Sequence, residues 1–283
     1  MDTIHHFLFD DLDIRGAVVR LGPAWQEMQA QRDYGPSERD LLGQLAAVTT
    51  LIGSNLKQPG RVTFQLQGQG PVRMLVVDCD EQLRLRGMAK TEEAVAPAPV
   101  PQLIGDGQLV LTLQTNVAAE RTYQSQVPIE GDTLAEIFEH YLEQSEQTPT
   151  RLWLAADAQH ACGLFLQRMP GADARDADGW NRVRHLAATV QAAELLLPAE
   201  TLLARLFPEE TLRLFDAQPV RYHCPRDDEK VLNMLRTLGR EEVAAMLTEH
   251  DEIVIHDEVC NHEYRFGPEV LRQLFPTPSQ MLH

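Results

Sequence analysis

Gly131–Leu154, GDTLAEIFEHYLEQSEQTPTRLWL, reads as one helix followed by one strand, and the neighbouring segments can be laid out around it. Thr133 stands where an N-cap belongs. Glu136 follows three residues later, in reach of the cap's own amide. Leu134, Ile137, Phe138, Tyr141 and Leu142 then form one apolar stripe at helical spacing. The polar run Glu143–Thr148 and Pro149 end the helix, and Arg151–Ala155 and Gly163–Arg168 read as strands. Together these predict one α/β domain closing near Pro170.

Upstream the signals are mostly β. Val62, Phe64 and Leu66 alternate with Thr63, Gln65 and Gln67, the period of a strand with one buried face. Gly68–Pro71 is a turn, and Met74–Val77 with Leu83 and Leu85 continue a meander. Further strands are expected at Leu109–Leu113 and Tyr123–Val127, after an Ala/Pro loop at Thr91–Pro101. Nearer the start, Ala17–Leu21 reads as the first strand. A helix opens at Pro36–Asp40 with Ser37 as cap and Asp40 answering it. Its stripe is Leu41, Leu45, Val48, Ile52 and Leu56, and Ala, Gly and Thr on the other faces predict a helix wrapped by sheet.

Beyond Pro170 the character changes. Gly171–Gly179 (GADARDADG) is polar and marks a domain boundary. An Ala-rich helix with Trp180, Val183, Ala187 and Val190 follows. A second helical stretch, Leu202–Phe215, is interrupted by Pro208. Few large side chains are evident here, so this middle segment is expected to unfold locally before the rest.

The C-terminal stretch Val220–Phe266 holds Cys224 and Cys260, two of the four cysteines. His223 adjoins the first; His256 and His262 flank the second. Sulfur and imidazole donors at both ends of a helical segment suit a zinc clip, and two thiols suit a disulfide. The ligand count is short, however, with no CxC at the first end and no CxxC at the second. Cys79 and Cys162 fall at strand ends and read as packing residues.

Composition narrows the function classes. The 283 residues suffice for one sizeable core and a smaller satellite. A formal charge of −17 repels phosphate backbones and anionic lipid, so neither nucleic acid nor membrane is expected as a partner. The N-terminus MDTIHHFLFDDLDIRG has no signal-peptide pattern, no window approaches the roughly 20 apolar residues of a membrane span, and four cysteines make no disulfide framework. A cytoplasmic protein is expected. GQGPVR at Gly68–Arg73 is a turn between strands, not a phosphate loop, so no nucleotide is expected.

The order of segments resembles the 33 kDa chaperonin family of redox-regulated heat-shock holdases. The resemblance rests on IRG at Ile14–Gly16, VTFQLQGQGPVRMLVV at Val62–Val77 and LRG at Leu85–Gly87. It rests also on Gly131–Leu154, ACGLFLQRMPG at Ala161–Gly171 and LLARLFPEETLRLF at Leu202–Phe215. It implies an α/β (α+β) N-terminal domain, a β-sheet with packed helices, over residues 1–171. A helical linker over 172–219 and a small α+β redox-switch-like domain over 220–283 would follow. The implied function is an ATP-independent holdase, not an enzyme, that captures unfolding client proteins under oxidative or heat stress. A homodimer is implied in the active state.

In that family four thiolates, CxC and CxxC, hold zinc until oxidation forms two disulfides. Here Cys224 matches the first thiolate and Cys260 the fourth, while Arg226 and Asp257 occupy the other two places. Three arrangements remain open. Cys224 and Cys260 form one cross-pair disulfide, closing a loop of about 36 residues for roughly 4 kcal/mol of chain entropy. Alternatively, Cys224, Cys260 and Asp257 hold zinc with His223, His256 or His262 as fourth ligand. In the third, which is preferred, the metal is lost, Arg226 and Asp257 pair as ions, and Val231, Leu235, Leu238, Val243, Met246 and Leu247 hold the lobe. Two other functions compete with the holdase: a constitutive binding or adaptor protein, and a thiol enzyme built on Cys224 or Cys260. Asp257, Glu258 and Glu263 would raise the thiol pKa and disfavour the enzyme.

Overall fold

The structure is a computed structural model describing residues 2–30, 32–56, 58–91, 95–115 and 121–276. Residues 92–94 of the expected Ala/Pro loop and 277–283 of the C-terminal segment lie outside the described residues. Contacts divide the chain into Met1–His223 and Cys224–His283.

The first unit opens with a hairpin, β1 (Thr3–Phe9) and β2 (Ile14–Leu21), then helices α1 (Pro23–Gln29) and α2 (Pro36–Gly53). A meander of β3 (Gly60–Gln67), β4 (Val72–Asp80) and β5 (Arg84–Thr91) leads through the short α3 (Val100–Ile104) to β6 (Gln108–Thr115) and β7 (Arg121–Val127). Next come α4 (Leu134–Glu146), β8 (Thr150–Ala156) and β9 (Ala161–Arg168). The unit ends with α5 (Ala172–Arg175), α6 (Gly179–Ala187), α7 (Ala199–Leu206), β10 (Leu212–Leu214), β11 (Gln218–Pro219) and β12 (Arg221–Tyr222).

These strands form two sheets. The first runs β10-β1-β2-β9-β8, with β11 also on β1; the second runs β12-β5-β4-β3-β6-β7. Helix α2 lies between them, touching β2, β8 and β9 of one and β3, β4 and β5 of the other. That position explains its composition. Leu42, Leu45, Ala46, Ala47 and Val48 are buried on several faces, as are Gly43, Thr49 and Thr50. The two threonines direct their hydroxyls back to Leu45 O and Ala46 O, at 2.6 and 2.8 Å, so their burial leaves no donor unpaired.

Helix α4 follows its sequence signals. Thr133 Oγ1 accepts from Glu136 N at 3.2 Å and Glu136 returns to Thr133 N at 3.1 Å. Leu134, Ile137, Phe138 and Leu142 are buried, with Phe138 edge-to-face on Phe64 at 4.8 Å. Helix α2 starts differently from expectation. Its cap is Gly35, whose amide is held by the Glu38 carboxylate, and Ser37 lies inside the first turn. Glu38 also accepts from the Thr91 hydroxyl at 2.6 Å, a distant partner that local spacing does not reveal.

Two further differences lie at one edge of the first sheet. Strand β1 precedes the expected first strand, and residues 212–214 form strand β10 on its outer side instead of continuing a helix. Ile4 of β1 belongs to the core cluster that holds the α2 side chains, whereas Phe7 and Phe9 pack in a second cluster on the opposite face. A strand buried on both sides loses the alternation that identifies it. Pro208 stops the preceding helix, as its missing amide requires.

Candidate functional site

Two places in the molecule carry the residues of interest, one in each unit. The first is the face of sheet β10-β1-β2-β9-β8 turned away from α2. Phe7, Phe9, Ile14, Val18, Cys162, Leu164 and Leu166 project from it and are all buried. What buries them is the chain's own segment 179–207: Trp180, Val183 and Ala187 from α6, Leu195 from a 3-10 turn, and Leu202, Leu203 and Leu206 from α7, with Phe207 just beyond.

Phe207 anchors this cover. Its ring meets Phe9 edge-to-face at 5.0 Å, and Phe9 in turn meets Phe7 at 5.8 Å. Arg182 ties α6 to the turn after α7, donating to Glu210 at 2.6 Å and to Asp176 at 3.0 Å. The apolar payload is therefore larger than the Ala-rich helix suggested, because leucines 195, 202, 203 and 206 and Phe207 supply it. The polar stretch 171–179 is also docked: Gly171 N donates to Asp13 Oδ2 at 3.0 Å and Arg168 pairs with Asp173 at 3.1 Å.

The second place is the Cys224–His283 unit, which contains α8 (Asp228–Leu238), α9 (Arg240–His250), the hairpin β13 (Ile253–Asp257) and β14 (His262–Phe266), and α10 (Val270–Leu274). Its core is small: Leu235, Val243, Leu247, Ile253, Val270 and Leu274. Of the residues expected to pack here, Leu238 instead faces outward at 49% exposure, and Met246 is only partly buried.

Cys224 and Cys260 are joined as a disulfide, with Cα atoms 5.6 Å apart. Three further contacts fasten the segment entering α8 to β14. His262 Nε2 donates to the Cys224 carbonyl at 2.7 Å, which fixes the proton on that nitrogen because a carbonyl only accepts. Asp227 N donates to the Tyr264 hydroxyl at 3.0 Å. Arg226 lies over the Tyr264 ring, 4.4 Å from its centroid, with Tyr264 itself 2% exposed.

The preferred expectation of an Arg226–Asp257 ion pair is corrected by these contacts. Arg226 reaches Asp228 at 3.7 Å as well as the tyrosine ring. Asp257 turns inward on its own hairpin, where Oδ1 accepts from Val259 N at 2.9 Å and Cys260 N at 3.2 Å. A carboxylate two and three residues from these amides reaches them at little entropic cost, and that local bond outcompetes a distant guanidinium.

In this disulfide form the donors do not fit zinc. Each cysteine sulfur is bonded to the other, His262 has committed its Nε2 proton to a carbonyl, and Asp257 caps the turn. His223 and His256 are exposed. Among the described residues no three His, Cys, Asp or Glu side chains gather as a metal site requires.

The remaining thiols are unsuited to nucleophilic work. Cys79 and Cys162 are buried, and burial pushes each thiol up to about 12, reinforced at Cys79 by Asp80 and Asp78. Sequence reasoning overlooked Tyr264, Phe9 and Phe207. The available signal was the aromatic two residues after His262 for the first; the other two become visible only when the strand and its cover are placed.

Comparison with known proteins agrees along the full chain. A model of the Hsp33 protein family matches residues 2–267. The 33 kDa chaperonin of Methylobacillus flagellatus is 41% identical over 283 residues, covering 99% of this chain and 96% of that protein. That of Chromobacterium violaceum is 39% identical over 276 residues, covering 97% and 94%. The crystal structure of the 33 kDa chaperonin (heat shock protein 33 homolog) of Thermotoga maritima superposes with a TM-score of 0.81 at 20% identity, over 97% of this chain and 98% of that one. That likeness establishes the fold, a mixed α/β architecture. From the sequence matches, this chain belongs to the Hsp33 family.

Proposed function

We propose that this protein is an ATP-independent holdase chaperone that captures unfolding proteins on the outer face of its first sheet. The observation that carries the reading is the covered apolar surface. Phe7, Phe9, Ile14, Val18, Leu164 and Leu166 form a continuous patch roofed by one segment of the same chain, 179–207. A roof made of short helices, α6 of nine residues and α7 of eight, opens more readily than a sheet does. Once open, the patch offers aromatic and aliphatic side chains to any chain that has lost its own core.

The names of the relatives, 33 kDa chaperonins, support the chaperone class. The charge of −17 supports the same reading, since an exposed apolar face needs a strongly charged surround to stay dispersed. In this reading the protein works as a binder, not an enzyme, in the cytoplasm, and pairs into a homodimer when active. Among the described residues no helix is long and apolar enough to cross a membrane.

The test is suppression of light scattering from a heat-unfolded client, without ATP, while a crosslinker placed at Val18 or Leu164 maps the contact. Scattering suppressed with crosslinks at the sheet face supports the reading. Capture of a single folded partner and of no unfolded client would replace it with the adaptor reading.

A further inference from the structure

We propose that Cys224 and Cys260 form a metal-free redox clasp, which oxidation closes and reduction opens, controlling whether residues 224–276 stay folded. The inference concerns that unit alone and stands whether or not the chain holds clients.

Position by position, the residues that replace two thiolates already serve the closed form. Arg226 covers the face of Tyr264, and Asp257 secures the turn that presents Cys260. His262 and Tyr264 add hydrogen bonds to Cys224 O and Asp227 N. The contacts of Arg226, His262 and Tyr264 join one short entry segment, 224–227, to one hairpin, and the disulfide is the covalent member of that set of four. None of the four needs a metal, and among the described residues no three His, Cys, Asp or Glu side chains gather as one would require.

The unit depends on such a staple. Among the described residues its apolar core rests on six buried side chains, a payload that gives a unit this small only marginal stability on packing alone. Removing the cross-link frees the 36-residue span between the cysteines, while the remaining contacts are individually weak.

The chemistry balances with an external dithiol as reductant. One of its thiolates attacks the sulfur of Cys224, which is half-exposed, and the sulfur–sulfur bond breaks. Cys260, 6% exposed, leaves as a thiolate and takes up a proton. The second thiol of the reductant then displaces Cys224 and becomes part of a disulfide. Two electrons and two protons pass to the protein, and the dithiol is oxidised. A peroxide reverses the change, taking two electrons from the thiols and leaving as water. The direction is thus opposite to a zinc switch in which oxidation releases the fold.

The experiment is hydrogen exchange on the full chain, oxidised with peroxide or reduced with dithiothreitol, with peptides from 224–276 read separately. Reduction is expected to speed exchange there by roughly several hundred-fold, the factor a cross-link over this span supplies. The Cys224→Ser/Cys260→Ser variant is expected to exchange at the reduced rate under both conditions. A chelator alone is expected to change nothing. Equal protection of the wild type in both redox states would overturn the proposal. So would opening by the chelator alone, or two free thiols at 224 and 260 in the peroxide-treated protein.

Discussion

Replacing Phe207 with alanine isolates the roof over the first sheet from the sheet itself. The ring is 2% exposed, meets Phe9 edge-to-face and belongs to the apolar cluster that holds the leucines of α7. The backbone bond from Phe207 N to Leu203 O, at 2.9 Å, survives the change, so only the side chain is removed. Truncating a buried phenylalanine costs about 3–5 kcal/mol, and the edge-to-face pairing is included in that figure. At about 1.4 kcal/mol per factor of ten, the open fraction rises by roughly two to three and a half orders of magnitude. None of the six residues of the proposed client face is itself substituted, and of these Phe9 loses its ring partner. Two measurements are needed: exchange protection of α6 and α7, and suppression of client light scattering across a temperature series. The expected result is lost protection in 179–207 with α2 unaffected, and holdase activity appearing at a lower temperature than in the wild type. Lost protection without any client capture would refute the assignment of this face. Unchanged protection would refute the role of Phe207 as its anchor.

Three further outcomes are expected. Thr133→Ala should cost about 1 kcal/mol in urea unfolding through the lost cap of α4. Its partner Glu136 is held below the usual carboxylate range by the amides of Asp132 and Thr133, so its contribution is full above the ordinary 4.5 and disappears as pH falls through the depressed value; Glu136→Gln and wild type should therefore converge in stability in acid. Arg226→Cys with Asp257→Cys should restore a four-sulfur set, read as stoichiometric zinc release in a colorimetric chelator assay on the reduced protein; no zinc would show that these positions do not correspond to the family's missing thiolates. Iodoacetamide at pH 8 should label Cys224 and Cys260 after reduction of the native protein, but reach Cys79 and Cys162 only after denaturation, as counted by mass.

Much of the fold is legible in order along the chain. The alternation in β3 and the capping box and stripe of α4 are local patterns, and each appears in the structure where its residues put it. Strand β1 is not legible in this way. Its apolar residues point both ways, because one face joins the core cluster that holds α2 and the other joins the cluster of a segment some 200 residues later. Gly16 shows the same limit. It stands opposite Phe7 in the β1–β2 pairing, and a Cβ there would overlap the phenylalanine ring. The reason for the glycine in Ile14–Gly16 lies on the neighbouring strand.

At the cysteine site the sequence by itself determined which residues compete. Two thiols remain, with an arginine and an aspartate where two more would be needed, and that alone rules out a four-thiolate centre. Choosing among the arrangements left was a tertiary matter. Asp257 bonds within its own turn, Arg226 finds an aromatic face 38 residues away, and the two sulfurs meet because the entry segment lies against the hairpin. Side-chain identity limits which bonds are possible. Only packing decides which groups come close enough to form them, because a bond to a nearer partner takes up the donor or acceptor that a distant one would have used.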